Sequence, residues 1–327
     1  MIVAILFSKA TGLQFEVSQK HVQLVRNALP SAEIYLVEST QELVERSIDP
    51  DILITWITGG GHFNAADFCC QSKNLKWIHG LSAGVEGVTQ SPAAKIPGLR
   101  VTNSKGIHGI PISEHVMAFL LYHMRGLGRI KANQTAGNWS RFIPDELYGK
   151  TIVILGMGSI AKAIAQRAKA FSMKVVGVKR TVVDIPNVDE VLPESRMDEA
   201  IAQANILVML LPATPETQKI MDARRFALMK DGAYFINVGR GSTVDTDALC
   251  SALEQGKLSG AALDALEPEP LPSDSPLWKM NNVIISPHMS AESPCYMDRA
   301  FQVFADNVPA FLAGTPMPTE IDLNRQY

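Results

Sequence analysis

Short apolar runs alternate with amphipathic stretches from one end of the 327-residue chain to the other. In the first hundred residues the runs Ile2–Phe7, Glu33–Val37, Asp51–Trp56, Leu75–His79 and Leu99–Thr102 predict strands. Helical stretches fall between them, such as His21–Leu29, which Pro30 stops. From Thr151 the pattern resumes, with strands expected at Ile152–Leu155, Lys174–Val178, Ile206–Leu211, Ala233–Val238, Gly260–Leu263 and Val283–Ser286. Strands that alternate with helices make parallel βαβ units, so the expected class is α/β with two open, doubly wound parallel sheets. The length suits about two domains of roughly 150 residues. The expected division gives one domain to residues 1–103, joined by 289–327, and the other to residues 104–288. Between the sheets a long helix is expected after Pro111, capped by Ser113 and running toward Lys131, with Ala136–Ser140 as its break. A last helix is expected near Pro294–Leu312.

Composition excludes several classes. Lys and Arg number 30 and Asp and Glu 33, a net charge of −3, which leaves no basic footprint for nucleic acid or an acidic membrane. Hydrophobic residues at 46% against 19% charged oppose a disordered chain. The apolar runs are far shorter than the roughly 20 residues a bilayer needs, and the N-terminus reads as a strand. The four cysteines include an adjacent pair, Cys69-Cys70, and show no zinc spacing, so no metal is expected. Free thiols of this kind suit a reducing compartment, and a cytoplasmic location is expected.

Gly156-Met157-Gly158-Ser159-Ile160-Ala161 fits G-x-G-x-x-A, with a strand before it and a helix after it. Ile160, Ile164, Ala168 and Phe171 make one apolar face of that helix. In such a loop Gly156 permits the tight turn, and Gly158 lets the backbone approach a pyrophosphate at the helix N-terminus, which Ser159 and Ile160 begin. Ala161 allows close helix–sheet packing. An NAD-selective site would carry Asp or Glu after the next strand, whereas this chain has Lys179-Arg180-Thr181. Two cations and a hydroxyl suit a 2′-phosphate, so NADP(H) is expected to be preferred over NAD(H).

Three ordered segments then carry a resemblance: Phe235-Ile236-Asn237-Val238-Gly239-Arg240-Gly241, Leu263-Asp264-Ala265-Leu266-Glu267-Pro268-Glu269-Pro270-Leu271-Pro272, and Ile285-Ser286-Pro287-His288. With the glycine loop and Leu211-Pro212-Ala213-Thr214-Pro215-Glu216-Thr217, the chain resembles the D-isomer-specific 2-hydroxyacid dehydrogenases along essentially its whole length. It looks most like the NADP-preferring glyoxylate/hydroxypyruvate reductase branch. The resemblance implies a Rossmann cofactor domain and a flavodoxin-like substrate domain, with Arg240, Glu269 and His288 as the catalytic residues. It also implies that Pro212, Thr217 and Val238 line the dinucleotide and that Asp264 meets the nicotinamide carboxamide. Glu267 is the nearest rival of Glu269, which stands immediately before Pro-Leu-Pro as in the family.

The chemistry needs these residue types. A guanidinium fork can hold the carboxylate of a 2-keto acid and polarise its carbonyl. Hydride arriving at carbon leaves an alkoxide, which a histidine can protonate near neutral pH. A carboxylate beside the imidazole favours its charged form. The implied activity is NADPH-dependent reduction of a small 2-keto acid to the D-2-hydroxy acid. The alternative is a dinucleotide-sensing scaffold of the corepressor type, which keeps a similar triad on the same fold.

On the substrate side, Leu81-Ser82-Ala83-Gly84-Val85-Glu86 resembles the family loop whose amides grip the substrate carboxylate, through Ala83, Gly84 and Val85. Trp56 is expected to line the substrate pocket, and the following Ile57-Thr58-Gly59-Gly60-Gly61 carries no cation, which disfavours a phosphorylated substrate. A homodimer is expected through about residues 112–142, where Met117, Phe119, Leu120, Leu121 and Tyr122 precede Trp139 and Phe142. In some relatives an aromatic from this arm reaches the partner's active site, and Trp139 is the candidate. His108, His115 and His123 are expected to serve helix packing or an interface, since Pro111 separates the first from the helix and the others are not at ligand spacing.

Overall fold

The computed structural model describes residues 1–7, 15–57 and 65–323. The chain falls into two compact units, Met1–Ile107 with Ser293–Tyr327 and His108–Glu292.

In the first unit the elements are β1 (Ile2–Leu6), α1 (Gln19–Ala28), β2 (Glu33–Val37), α2 (Thr40–Glu45), β3 (Ile52–Thr55), α3 (Ala66–Gln71), β4 (Trp77–Gly80), α4 (Glu86–Thr89) and β5 (Arg100–Thr102). All strand pairs are parallel, in the order β2-β1-β3-β4-β5. That is the flavodoxin-like order. Alternate residues enter opposite faces of the sheet. Val3, Ile5, Ile52 and Ile54 join one core, and Ala4 and Leu53 join the other. The C-terminal helix of the chain, Tyr296–Leu312, covers the first of these faces with Phe301 and Phe304, and Phe304 stacks on Trp77 at 4.9 Å.

The second unit opens with α5 (Gly109–Met124) and α6 (Leu127–Thr135). Then follow β6 (Thr151–Leu155), α7 (Ser159–Ala170), β7 (Lys174–Val178), β8 (Glu190–Leu192), α8 (Met197–Gln203), β9 (Ile206–Met209), α9 (Ala223–Leu228), β10 (Ala233–Asn237), α10 (Thr246–Glu254), β11 (Leu258–Leu263) and β12 (Val283–Ile285). The C-terminal helix is α11. The seven strands are parallel, in the order β12-β11-β10-β9-β6-β7-β8. The order reverses between β6 and β9, and ligands of open α/β sheets bind outside the strand ends at such a switch point. Apolar cores cover both faces, with Val153 and Leu155 on one and Ile152 and Ile154 on the other.

The structure corrects several local expectations. The helix expected to begin beyond Pro111 begins at Gly109, with His108 at its N-cap position. Pro111 is tolerated because it lies in the first turn, where its missing N–H has no helical partner to lose. Ser113 is no cap: it lies inside the helix and returns its hydroxyl to the Gly109 carbonyl. The helix also does not run unbroken to Lys131. It stops at Met124, and Gly126 takes a left-handed φ of +62° before α6 starts. Phe171 does not complete the apolar face of α7, being 40% exposed beyond the helix end, while Ala161 and Ala165 join Ile164 and Ala168 in the core. The edge strand β8 was not expected, because its apolar run is only Val191-Leu192, between Glu190 and Pro193.

Candidate active site

The glycine loop is built at the switch point of the second unit. Gly156 follows β6 with φ +100°, and a Cβ there would sit 3.0 Å from the Leu210 carbonyl oxygen, so only glycine serves this turn. Gly158 is the N-cap of α7, and a Cβ on it would meet nothing within 4 Å. The first N–H groups of a helix lack intrahelical acceptors, so Ser159 and Ile160 present a positive helix end beside open space. These residues fit a dinucleotide pyrophosphate. The facing loop after β9 is shaped by Thr217, whose hydroxyl donates to the Pro212 carbonyl at 2.6 Å and accepts from Thr214 N–H at 2.8 Å. Val238, just past β10, is buried.

The basic turn follows β7. Lys179 donates its backbone N–H to Leu192 at 3.0 Å and reaches toward the Met157 carbonyl with Nζ at 3.5 Å. Arg180 is exposed and lies 3.8 Å from Glu194, a contact of little worth at the surface. Thr181 is exposed. The three groups thus stand on one turn next to the glycine loop.

Arg240, Glu269 and His288 follow three adjacent strands. Arg240 lies past β10, Glu269 past β11 and His288 past β12. The first two loops approach closely at Gly241, where a Cβ would come within 1.9 Å of the Leu266 backbone. Any side chain there would push the loops apart. Arg240 Nη1 donates to the Gly239 carbonyl at 3.0 Å. Glu269 accepts from Leu266 N–H at 2.9 Å through Oε1, which leaves Oε2 to meet His288 Nδ1 at 2.8 Å. That hydrogen bond raises the His288 pKa above the ordinary imidazole value; burial opposes it, the Glu269 and Asp264 charges add to it, and Arg240 subtracts. For Glu269, burial works upward, but the His288 and Leu266 bonds with the nearby positive charges bring the net shift below the ordinary carboxylate range. Glu267, the rival carboxylate, has no part in this contact.

Asp264, one residue past β11, is buried and accepts from three groups of the histidine loop. It accepts from the Ser286 hydroxyl, from Met289 N–H at 2.9 Å and from Ser290 N–H at 3.1 Å. These partners lie on both sides of His288, whose φ of +52° falls in the left-handed region. Holding a histidine there costs on the order of 1–3 kcal/mol, and the Asp264 contacts offset that cost. The carboxylate therefore shapes the histidine loop, beyond the cofactor contact that the resemblance implies.

Some residues at the site were not expected there. His108 is buried beside Arg240; burial pushes its pKa down to about 4, and the Arg240 charge adds to the fall. His115 Nε2 lies 3.3 Å from Ser286 Oγ. The two histidines are seven residues apart, His108 at the N-cap and His115 inside α5, close to two helical turns, so they share a face. His123 does serve packing: it stacks on Tyr234 at 4.0 Å and meets Ser259 Oγ at 3.0 Å. Trp278 was also missed. It borders a cavity of about 410 Å³ with His288, Glu269, Leu271 and Pro287, is 53% exposed, and donates Nε1–H to the Pro272 carbonyl at 2.9 Å. Among the described residues no cluster of three His, Cys, Asp or Glu stands ready for a metal ion.

The substrate-side candidates of the first unit are described by themselves. Trp56 is 7% exposed and packs in the core against Phe15 and Tyr296, with centroid distances of 6.0 and 5.6 Å. Its buried Nε1 has no partner among the described residues. Thr58 to Gly61 lie outside the described residues. The loop at Ala83, Gly84 and Val85 is held from both ends: Ser82 Oγ donates to Gly84 O at 3.0 Å, and Asn103 Nδ2 donates to Ala83 O at 2.8 Å. In the second unit Trp139 is 97% exposed, on an extended arm beyond α6.

A dinucleotide cradle at a Rossmann switch point, with a histidine–carboxylate pair and an arginine at the neighbouring strand ends, defines an NAD(P)-dependent oxidoreductase. Residues 117–290 match the family model described as D-isomer specific 2-hydroxyacid dehydrogenase, NAD binding domain. Curated relatives include glyoxylate reductases and D-3-phosphoglycerate dehydrogenases. The glyoxylate reductase of Thermofilum pendens is 31% identical over 87% of this chain and 85% of its own. A D-isomer specific 2-hydroxyacid dehydrogenase family protein from Aeromonas salmonicida superposes with a TM-score of 0.85 at 34% identity, over 98% of this chain and 99% of its own. An NADPH-dependent glyoxylate/hydroxypyruvate reductase from Sinorhizobium meliloti, solved with NADP and sulfate, gives 0.81 at 26% identity, over 100% of this chain and 99% of its own. The chain belongs to the D-isomer specific 2-hydroxyacid dehydrogenase family.

Proposed function

We propose that this enzyme reduces a small 2-keto acid to the D-2-hydroxy acid with NADPH as the electron donor. The reading rests on the His288 Nδ1–Glu269 contact of 2.8 Å. With Nδ1 committed to the carboxylate, Nε2 is the nitrogen that faces the reaction and carries the proton to be delivered. Arg240 holds the substrate carboxylate and polarises the carbonyl oxygen. The nicotinamide, when bound, supplies the hydride to the carbonyl carbon. His288 protonates the resulting alkoxide, and Glu269 stabilises the imidazolium beforehand. The raised His288 pKa keeps that proton on the ring to higher pH than an ordinary imidazole would.

Lys179, Arg180 and Thr181 support the choice of NADPH, because a 2′-phosphate carries nearly two negative charges. Gly156, Gly158, Ser159 and Ile160 take the pyrophosphate, and Pro212, Thr217, Val238 and Asp264 line the rest of the dinucleotide. The resemblance also assigns Trp56, Ala83, Gly84 and Val85 to the substrate.

We further propose a homodimer through about residues 112–142, with Trp139 reaching the partner's active site. The exposure of Trp139 at 97%, and of Ile143 just beyond the span, supports this, whereas Met117, Phe119 and Leu120, expected at the interface, are buried in the chain's own core and leave the arm to carry the contact. The four cysteines are free, which suits a cytoplasmic enzyme.

The test is NADPH oxidation with purified protein and a panel of glyoxylate, hydroxypyruvate, pyruvate and branched 2-keto acids, with chiral analysis of the products. Turnover of at least one small acid to a D-product is expected wherever the product is chiral. No absorbance loss with any of them would favour a dinucleotide-sensing role.

A further inference from the structure

Asp264 shapes the loop that carries His288, and Ser286 links that carboxylate to a helix of the same unit. Ser286 touches that loop twice. Its carbonyl accepts the His288 N–H at 2.9 Å, and its hydroxyl meets Asp264 Oδ1. Asp264 in turn takes the N–H groups of Met289 and Ser290. A carboxylate loaded with three donors acts as an acceptor only, so the single hydroxyl hydrogen of Ser286 goes to Asp264. The Ser286 oxygen is then left to accept from its other partner among the described residues, His115 Nε2 at 3.3 Å. Hydrogen counting therefore places the His115 proton on Nε2. His115 stands on the sixteen-residue helix α5, with the Phe119 ring edge-on at 4.4 Å one turn later.

We infer that His115 is a positioning residue for His288: it donates from Nε2 to Ser286 Oγ and so locks the Ser286–Asp264 pair that fixes the backbone on both sides of the catalytic imidazole. The inference rests on the proposed role of His288. It places part of the origin of the loop geometry on α5, outside the loop that carries His288. The charged groups around His288 itself are Glu269, Arg240 and Asp264, and His115 acts on it only through Ser286.

Four variants test this: His115→Phe, His115→Gln, Ser286→Ala and the His115→Phe/Ser286→Ala pair. His115→Phe is expected to lower kcat about three- to tenfold, the range for one neutral hydrogen bond, with KM for NADPH unchanged. His115→Gln, whose amide N–H can stand close to the imidazole Nε2 position, is expected to restore most of it. Ser286→Ala should cost at least as much as His115→Phe, and the pair no more than Ser286→Ala alone, because both residues act through one chain of bonds. The His288 ring titration, followed by NMR, gives a readout independent of turnover. In His115→Phe its midpoint should fall toward that of an ordinary imidazole as the loop slackens from Glu269. A shifted titration supports the positioning role even if His288→Ala kept full turnover, a result that would instead remove the reading of His288 as the acid. Wild-type kcat with an unmoved titration in His115→Phe, or a loss that His115→Gln fails to restore, would overturn the inference.

Discussion

His288 shares Nδ1 with Glu269, and that bond sets which protonation state the site keeps. Its pKa is raised, so the charged ring persists above the ordinary imidazole range and is lost as pH rises through the raised value. Reduction consumes that proton, so kcat/KM for the keto acid is expected to fall on the alkaline side. Glu269→Gln removes the largest cause of the shift. Its alkaline limb should move to lower pH while KM for NADPH stays put, as a pH series of initial rates will show. An unmoved limb would mean that another group titrates. The three catalytic candidates were legible because each sits in a distinctive segment, and their order along the chain matches three adjacent strand ends. His108 and His115 were not. Pro111 reads as a boundary and Ser113 as a cap, which starts the helix too late and hides the two-turn phase between the histidines. Nor does the run Pro276-Leu277-Trp278 announce that its tryptophan borders the same cavity as His288 and Glu269.

At the scale of elements, loops at strand ends carry the site. The approach of the β10 and β11 loops depends on Gly241, and Gly241→Ala would bring a methyl to about 1.9 Å from the Leu266 backbone. Backbone cannot rotate away as a side-chain tip can, so a cost of about 1–3 kcal/mol is expected. A melting curve should show a fall of several degrees together with loss of turnover; an unchanged Tm would show that the loops tolerate more space than the structure gives them. The turn after β7 carries the cofactor choice. Replacing Lys179 and Arg180 with neutral residues should raise KM for NADPH roughly ten- to hundredfold, given the discount for exposure, and leave KM for NADH almost unchanged. A wild-type enzyme that prefers NADH would show that this turn does not select the phosphate. The central strands of both sheets were legible because strands buried on both faces are continuous apolar runs. The edge strand β8 escaped because its apolar run is only Val191-Leu192, set between Glu190 and Pro193.

At the scale of the molecule, the arm beyond α6 leaves Trp139 and Ile143 exposed on a single chain. Light scattering at micromolar concentration is expected to give the mass of two chains, and a monomer would reject the pairing. Trp139→Ala is then expected to change the ratio of kcat/KM values between small and branched keto acids. An unchanged ratio would reject the shared site while leaving the dimer intact. The two α/β sheets were readable from the alternation of runs. Trp139 was singled out in the sequence and is exposed, whereas Met117, Phe119 and Leu120, read with it as interface residues, are buried, because the helix periodicity does not tell an interface face from a core face.

The central claim is that His288 delivers the proton that completes reduction of a 2-keto acid. Its most direct test is the rate of NADPH oxidation by His288→Ala with the best acid of the panel, beside the dissociation constant for NADPH measured by fluorescence. The account predicts a fall in kcat of about 10²–10⁴, the span of general acid catalysis, with cofactor affinity unchanged. Turnover close to wild type in that variant would contradict it.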